Sequence, residues 1–122
     1  MLYFDLETFN TRDISVGTFA YAETAEVLLA SYAVEGGEVK VWDVNGEPTN
    51  MPRDLLEALG AVHHGELSIT AHNAIFDRTV AREALYFDAP VERWRCTMAK
   101  AYAHGFPGNL DQVGRILRLP QD

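Results

Sequence analysis

The sequence has little cysteine and no long apolar run. Cys96 is the single cysteine among 122 residues, which excludes an internal disulfide and a cysteine-based zinc cluster. No apolar run reaches the length of about 18 residues that a membrane span requires. Residues 1–5 contain no basic region followed by an apolar core, as a signal peptide would. We therefore expect a cytoplasmic protein without a membrane partner.

Positive charge is also scarce. The chain has 10 Lys and Arg against 18 Asp and Glu, which gives a formal net charge of −8. Affinity for nucleic acids comes largely from Lys and Arg that neutralise phosphates, so this balance argues against a stand-alone nucleic-acid-binding module. It is compatible with a nuclease site, because such a site collects carboxylates and bound metal ions restore the positive charge.

The first half of the chain reads as three strands. Three segments show either the alternation of apolar and polar residues or the β-branched and aromatic content that is typical of strands: residues 2–8, 26–34 and 39–44. Gly36-Gly37 separates the second from the third, which predicts a hairpin, and Asn45-Gly46 marks the next turn. These three strands are expected to form an antiparallel meander. The polar segment between the first two, residues 9–24, is predicted to be a loop.

The second half alternates helices and short strands. The predicted elements are a helix from Pro52 to Gly65, a strand from Leu67 to His72, a helix capped by Asn73 and closed by Asp88-Ala89-Pro90, a short strand over 91–96, a helix from Thr97 to His104 and a helix capped by Asn109 that stops at Pro120. A strand that follows a helix is expected to run parallel to an earlier strand through a right-handed crossover. The sequence thus predicts an α/β fold in which three antiparallel strands and then parallel strands form a mixed sheet with flanking helices.

Asp5 and Glu7 are two residues apart on the first predicted strand, so their carboxylates share one face. The strand is otherwise strongly apolar, and acidic residues are depleted from such strands. Two converging carboxylates repel each other, and Mg²⁺ or Mn²⁺, which prefer oxygen ligands, would relieve that repulsion. The alternative is an ordinary solvated strand face.

Asp77 follows Asn73 at the predicted start of a helix. An acid in the first helical turn is stabilised by the helix dipole, and that role alone would explain Asp77. If the fourth strand lies beside the first, however, Asp77 lies over the same sheet edge as Asp5 and Glu7. Three carboxylates would then surround one or two metal ions.

Two motifs carry a resemblance to a known family. Asp5-Leu6-Glu7-Thr8 resembles the first motif of the DEDD-type 3′–5′ exonucleases, and Asn73-Ala74-Ile75-Phe76-Asp77 resembles the second, with its Asn-x-x-x-Asp spacing. The stretches Cys96 to Ala101 and Pro107 to Asp111 are similar to the proofreading domains of family A DNA polymerases of phages and bacteria. The resemblance covers essentially the whole chain, residues 1–122, as one domain.

The resemblance implies an RNase H-like fold and phosphodiester hydrolysis at the 3′ end of single-stranded DNA with two Mg²⁺ or Mn²⁺ ions. It implies that Asp5 holds both metals, that Glu7 holds one metal and the attacking water, and that Asp77 holds the second metal. Asn73 would contact the terminal nucleotide, and the backbone around Leu6 and Thr8 would line its pocket. The implied partners are the 3′ end of the DNA strand and the polymerase domain of a longer parent chain.

The family's third motif, Tyr-x-x-x-Asp or His-x-x-x-Asp, has no match in this sequence. Tyr102 and His104, for example, have no Asp four residues on. We therefore expect a C-terminally incomplete domain that is weak or inactive as a nuclease. Its uncovered sheet face is expected to favour self-association.

Two other functions stay open at this point. An RNA 3′ exonuclease of the same superfamily would share the metal ligands, and a non-catalytic scaffold or nucleic-acid-binding domain would not need them. The presence of Asp5, Glu7 and Asp77 together favours a catalyst. His72 is interpreted as a packing or hydrogen-bonding residue at the end of a strand.

Overall fold

The computed structural model describes residues 1–45 and 47–120. The strands are Leu2–Phe9 (β1), Glu26–Val34 (β2), Lys40–Asp43 (β3), Ile69–Ala71 (β4) and Trp94–Cys96 (β5). The α-helices are Thr18–Ala22 (α1), Arg53–His63 (α2), Ala74–Ala84 (α3), Thr97–Ala103 (α4) and Leu110–Ile116 (α5). The turn predicted at Asn45-Gly46 lies partly outside the described residues, and residues 121 and 122 lie wholly outside them.

The five strands form one mixed sheet in the order β3-β2-β1-β4-β5. β1 is antiparallel to β2 and β2 to β3, whereas β4 is parallel to both β1 and β5. The predicted meander and the predicted parallel crossover are both confirmed. The result is an α/β sheet with flanking helices, consistent with an RNase H-like fold.

The prediction of a loop over residues 9–24 is wrong in part. This segment holds a 3-10 turn, Ile14–Val16, followed by α1. The Asn10 side chain fixes it, because its Nδ2 donates to the Tyr21 carbonyl at 2.7 Å and to Thr24 Oγ1 at 3.0 Å. A helix of five residues is too short to leave a periodic pattern in the sequence, and tertiary contacts supply its stability.

The predicted helix caps are only partly right. Asn109 caps α5 as expected, since its Oδ1 accepts from the N–H of Gln112 at 3.1 Å. Asn73 precedes α3 but has a left-handed backbone (φ 64°), and its side chain makes no cap hydrogen bond within the described residues. At α4 the cap is Cys96 rather than Thr97, because the Cys96 Sγ accepts from the Ala99 N–H at 3.4 Å.

The core lies on one face of the sheet. Leu2, Phe4 and Leu6 alternate along β1 with exposed residues and point into it. The helices contribute Leu55, Leu59, Val62, Val80 and Ala81 to the same cluster. None of the described helices is long and apolar enough to cross a membrane.

The opposite face, which we call the open face, carries Tyr3, Asp5 and Glu7 on β1. The pairing register places Ser31 of β2 beside Asp5, and Val41 of β3 beside Ser31. Tyr3 is 48% exposed and Val41 is 61% exposed. Apolar side chains are therefore accessible on this face, as the sequence predicted.

Candidate functional site: carboxylates at the end of the central strands

Asp5 and Glu7 lie on the open face because β1 alternates regularly as far as Glu7. Both residues are exposed, while Leu6 between them is 6% exposed and belongs to the core. The register of β1 against β2 shifts between Glu7 and Thr8. The two carboxylates therefore occupy the last regular positions of the strand.

Asp77 reaches this place from the first turn of α3. Its Oδ1 accepts a hydrogen bond from the Leu6 N–H at 3.1 Å, across 71 residues of sequence. Asp77 is 2% exposed, so this acid is buried and not a solvated residue at the start of a helix. This hydrogen bond holds the Asp77 carboxylate at the backbone of Leu6, the residue between Asp5 and Glu7.

Burial and mutual repulsion raise the pKa values of two of the three acids. The pKa of Asp77 is raised to about 7, mainly by burial, then by the charge of Asp5 and to a smaller extent by that of Glu7. Partial burial of the Asp5 carboxylate and the charge of Glu7 raise the Asp5 pKa as well, while His72 opposes the rise. Removal of a carboxylate from water raises its pKa, and like charges close by add to that rise.

The donor chemistry suits a hard divalent cation. Carboxylate oxygens are the ligands that Mg²⁺ and Mn²⁺ prefer, and a cation would remove the repulsion among Asp5, Glu7 and Asp77. Within residues 1–45 and 47–120, however, no three His, Cys, Asp or Glu side chains are grouped so that they could hold a metal ion. The acids thus share one electrostatic neighbourhood without forming a closed coordination shell.

Two of the three predicted substrate-binding positions, Leu6 and Thr8, lie next to this group on β1. The Leu6 N–H is engaged by Asp77, so it is not free to bind a ligand. Thr8 Oγ1 lies 3.0 Å from the Tyr21 hydroxyl, which joins the end of β1 to α1. Asn73 is half-buried between β4 and α3. Leu6 and Thr8 flank Glu7 in β1, and Asn73 lies four residues before Asp77 in the chain. The roles of all three toward a nucleotide stay predictions.

His72 is more deeply involved in the site than its sequence context indicated. Its Nδ1 lies 2.9 Å from Thr97 Oγ1, and its Nε2 is hydrogen-bonded to the Gly108 carbonyl. The hydrogen-bonding role expected of this residue is confirmed. Its two partners were not predictable, since they are 25 and 36 residues away in sequence.

A cleft of about 260 Å³ opens on the open face beside Asp5. His72, Thr97 and Leu110 form part of its wall, together with Thr70 of β4. Thr70 is 5% exposed, and its hydroxyl has no hydrogen-bond partner in the part of the chain that the structure describes. The cleft is thus a mainly apolar recess with a carboxylate at its edge.

The fold and the acidic group define an α/β domain with a carboxylate site at the end of its central strands. In sequence, the chain is 36% identical over 121 residues to a DNA polymerase of Bacillus phage SP02. The match covers 97% of this chain and 18% of the polymerase, so the chain spans less than a fifth of that protein's length. No protein-family model matches the chain.

Proposed function

We propose that the chain is part of the proofreading domain of a DNA polymerase, a metal-dependent 3′–5′ exonuclease that removes nucleotides from the 3′ end of single-stranded DNA. The observation that carries the proposal is the buried Asp77 carboxylate, held by the Leu6 N–H between Asp5 and Glu7. The similarity to a phage DNA polymerase along nearly the whole chain supports the polymerase context.

Asp5, Glu7 and Asp77 are the residues that would hold Mg²⁺ or Mn²⁺. Bound cations would supply activation of water and charge neutralisation at the leaving 3′ oxygen. The protein's own contribution is positioning, since phosphoryl transfer needs fixed charges more than a covalent nucleophile. The hydrogen bond from Leu6 fixes the Asp77 carboxylate, and the strand geometry fixes the other two.

The substrate end of the strand would lie across the open face beside Asp5. In this proposal Asn73 contacts the terminal nucleotide, and the backbone near Leu6 and Thr8 borders it. The chain's net charge of −8 gives little attraction for phosphates, so the rest of the polymerase would supply the basic surface.

Calorimetric titration with Mn²⁺ tests the site directly. We expect the chain to bind Mn²⁺ and Asp5→Ala to abolish the binding. Asp88→Ala is a matched control, because Asp88 is an exposed acid outside the group. Equal binding by the chain and by Asp5→Ala would contradict the proposal.

Turnover is measured on a 5′-labelled single strand with Mn²⁺. We expect slow shortening from the 3′ end, because the sequence offers no match for a fourth carboxylate. Loss of shortening in Asp77→Asn would assign it to this site. The same assay with an RNA strand of the same sequence distinguishes a DNA exonuclease from an RNA exonuclease. Faster shortening of the RNA strand would overturn the choice of DNA.

A non-catalytic nucleic-acid-binding domain is the second candidate. It is favoured by the lack of a group spaced for metal binding among the described residues. Binding of a single strand with equal affinity in EDTA and in Mn²⁺, unchanged by Asp5→Ala and without any shortening, would support this candidate against the first.

A further inference from the structure

His72 connects the end of β4 with a distant part of the chain. One ring nitrogen bonds Thr97 at the start of α4, and the other bonds the Gly108 carbonyl just before α5. The imidazole therefore spans both ends of the segment 97–108. A carbonyl oxygen can only accept, so Nε2 carries the proton in this hydrogen bond. In the neutral ring, Nδ1 then accepts from the Thr97 hydroxyl.

The segment that His72 holds has little apolar anchoring. Ala101 is the single buried residue among those described from 97 to 120, and α5 has no buried residue. A segment with so few buried contacts is expected to open at low cost in free energy. Polar contacts such as those of His72 therefore contribute a large share of what keeps it in place.

The loop before α5 is closely packed against α4. A Cβ added at Gly108 would overlap the phenol ring of Tyr102. The Phe106 N–H also donates to the Ala101 carbonyl at 2.9 Å. The Gly108 carbonyl is held from the sheet by His72, whereas the Tyr102 ring beside Gly108 is the end of a side chain that is 59% exposed.

The same segment forms one wall of the cleft beside Asp5. Thr97 and Leu110 line the cleft together with Asp5 and His72. Because Leu110 follows the Gly108 peptide by two residues, movement of that peptide changes the distance between Leu110 and the carboxylate.

We propose that His72 is a positioning residue that sets the width of the cleft between Asp5 and Leu110, and thereby the fit of the terminal nucleotide. The proposal rests on the proposed function for the identity of the ligand. The part of the proposal that concerns how His72 holds the segment 97–108 does not depend on that function, and it is measured separately.

Two substitutions distinguish the two ring nitrogens. His72→Gln places an amide near Nε2 and can keep the bond to Gly108, whereas His72→Asn places one near Nδ1 and loses it. In amide hydrogen exchange, we expect His72→Asn to speed exchange over residues 105–112 roughly tenfold, and His72→Gln to stay within about threefold of the parent chain. Equal exchange in both variants would overturn the role of the Gly108 bond.

The consequence for the ligand is measured with a short oligo-dT that carries 2-aminopurine at its 3′ end, in Ca²⁺ buffer so that cleavage is suppressed. We expect His72→Asn to weaken binding roughly fivefold or more and His72→Gln to restore it. Faster exchange with unchanged affinity would overturn the role in fitting the nucleotide. Failure of the parent chain to bind the oligonucleotide would refute the proposed function, and the cleft's role with it, while the exchange data would still decide the attachment.

Discussion

The Asp77 carboxylate accepts a hydrogen bond from the backbone N–H of Leu6, at 3.1 Å. This contact joins the two acidic motifs of the sequence, because Leu6 separates Asp5 from Glu7. Burial of the Asp77 carboxylate, and then the charge of Asp5, raise the pKa of Asp77 to about 7, while the hydrogen bond from Leu6 opposes that rise. Several measurable properties of the chain depend on this arrangement.

Without metal, Asp77 should make the fold less stable as the pH rises. Its folded-state pKa is about 7 against an ordinary value of 3.8, so the folded chain holds this proton more tightly than the unfolded chain does. The contribution to stability is therefore complete below about pH 4 and is lost as the pH rises to about 7. We expect Asp77→Asn, which keeps an acceptor for Leu6, to gain roughly 1–3 kcal/mol relative to the parent over that range. Urea unfolding in EDTA at several pH values measures the free energy of unfolding of both proteins. A difference between them that does not change with pH would refute the prediction.

Divalent cations should reverse that destabilisation. At pH 8, above the Asp77 pKa of about 7, the Asp77 carboxylate is ionised, and a cation that binds the folded state alone raises the stability of that state by mass action. We expect Mn²⁺ to raise the melting temperature of the parent chain and of Asp88→Asn, and to have little effect on Asp5→Ala. A thermal melt at several Mn²⁺ concentrations makes the comparison. Equal increases in all three proteins would indicate nonspecific binding.

The link between β1 and α1 should contribute to stability. Thr8 Oγ1 and the Tyr21 hydroxyl are 3.0 Å apart. Tyr21 is buried, and the centroid of its ring lies 5.8 Å from that of Phe76. We expect Thr8→Val and Tyr21→Phe each to cost about 1 kcal/mol, and the double variant to cost less than the sum. A double-mutant cycle by urea unfolding measures the coupling, and strict additivity would show that the hydroxyls do not interact.

Self-association through the open face remains a proposal with a direct test. Val41 lies on this face and is 61% exposed, while Leu56 on α2 is similarly exposed, at 59%. We expect the parent chain and Leu56→Lys to associate with rising concentration in sedimentation velocity, and Val41→Lys to stay monomeric. Loss of association in both lysine variants, or in neither, would rule out the open face as the contact.

The regular elements and their order were predictable, because alternation, glycine turns and helical spacing are local signals. The crossover rule predicted that β4 runs parallel to an earlier strand, but it did not say which one. The structure places β4 beside β1, which was the condition for Asp77 to lie over the same sheet edge as Asp5. The short helix α1 and the left-handed Asn73 left no local pattern. The partners of His72 were out of reach for another reason, since hydrogen bonds between distant residues depend on packing that the sequence does not display.

The parallel ladder between β1 and β4 pairs Leu2 with Ile69 and Tyr3 with Thr70, although β1 continues to Phe9. The Leu2 N–H donates to the carbonyl of Ser68, just before β4. Because every second N–H of a strand faces the same neighbour, the Leu6 N–H also faces the β4 side. On that side the Leu6 N–H donates to the Asp77 carboxylate and not to a carbonyl of β4. The place where pairing with β4 stops is therefore the place where the chain can present acids to a ligand, so a change that carried this ladder on as far as Leu6 would compete with the site for the same amide.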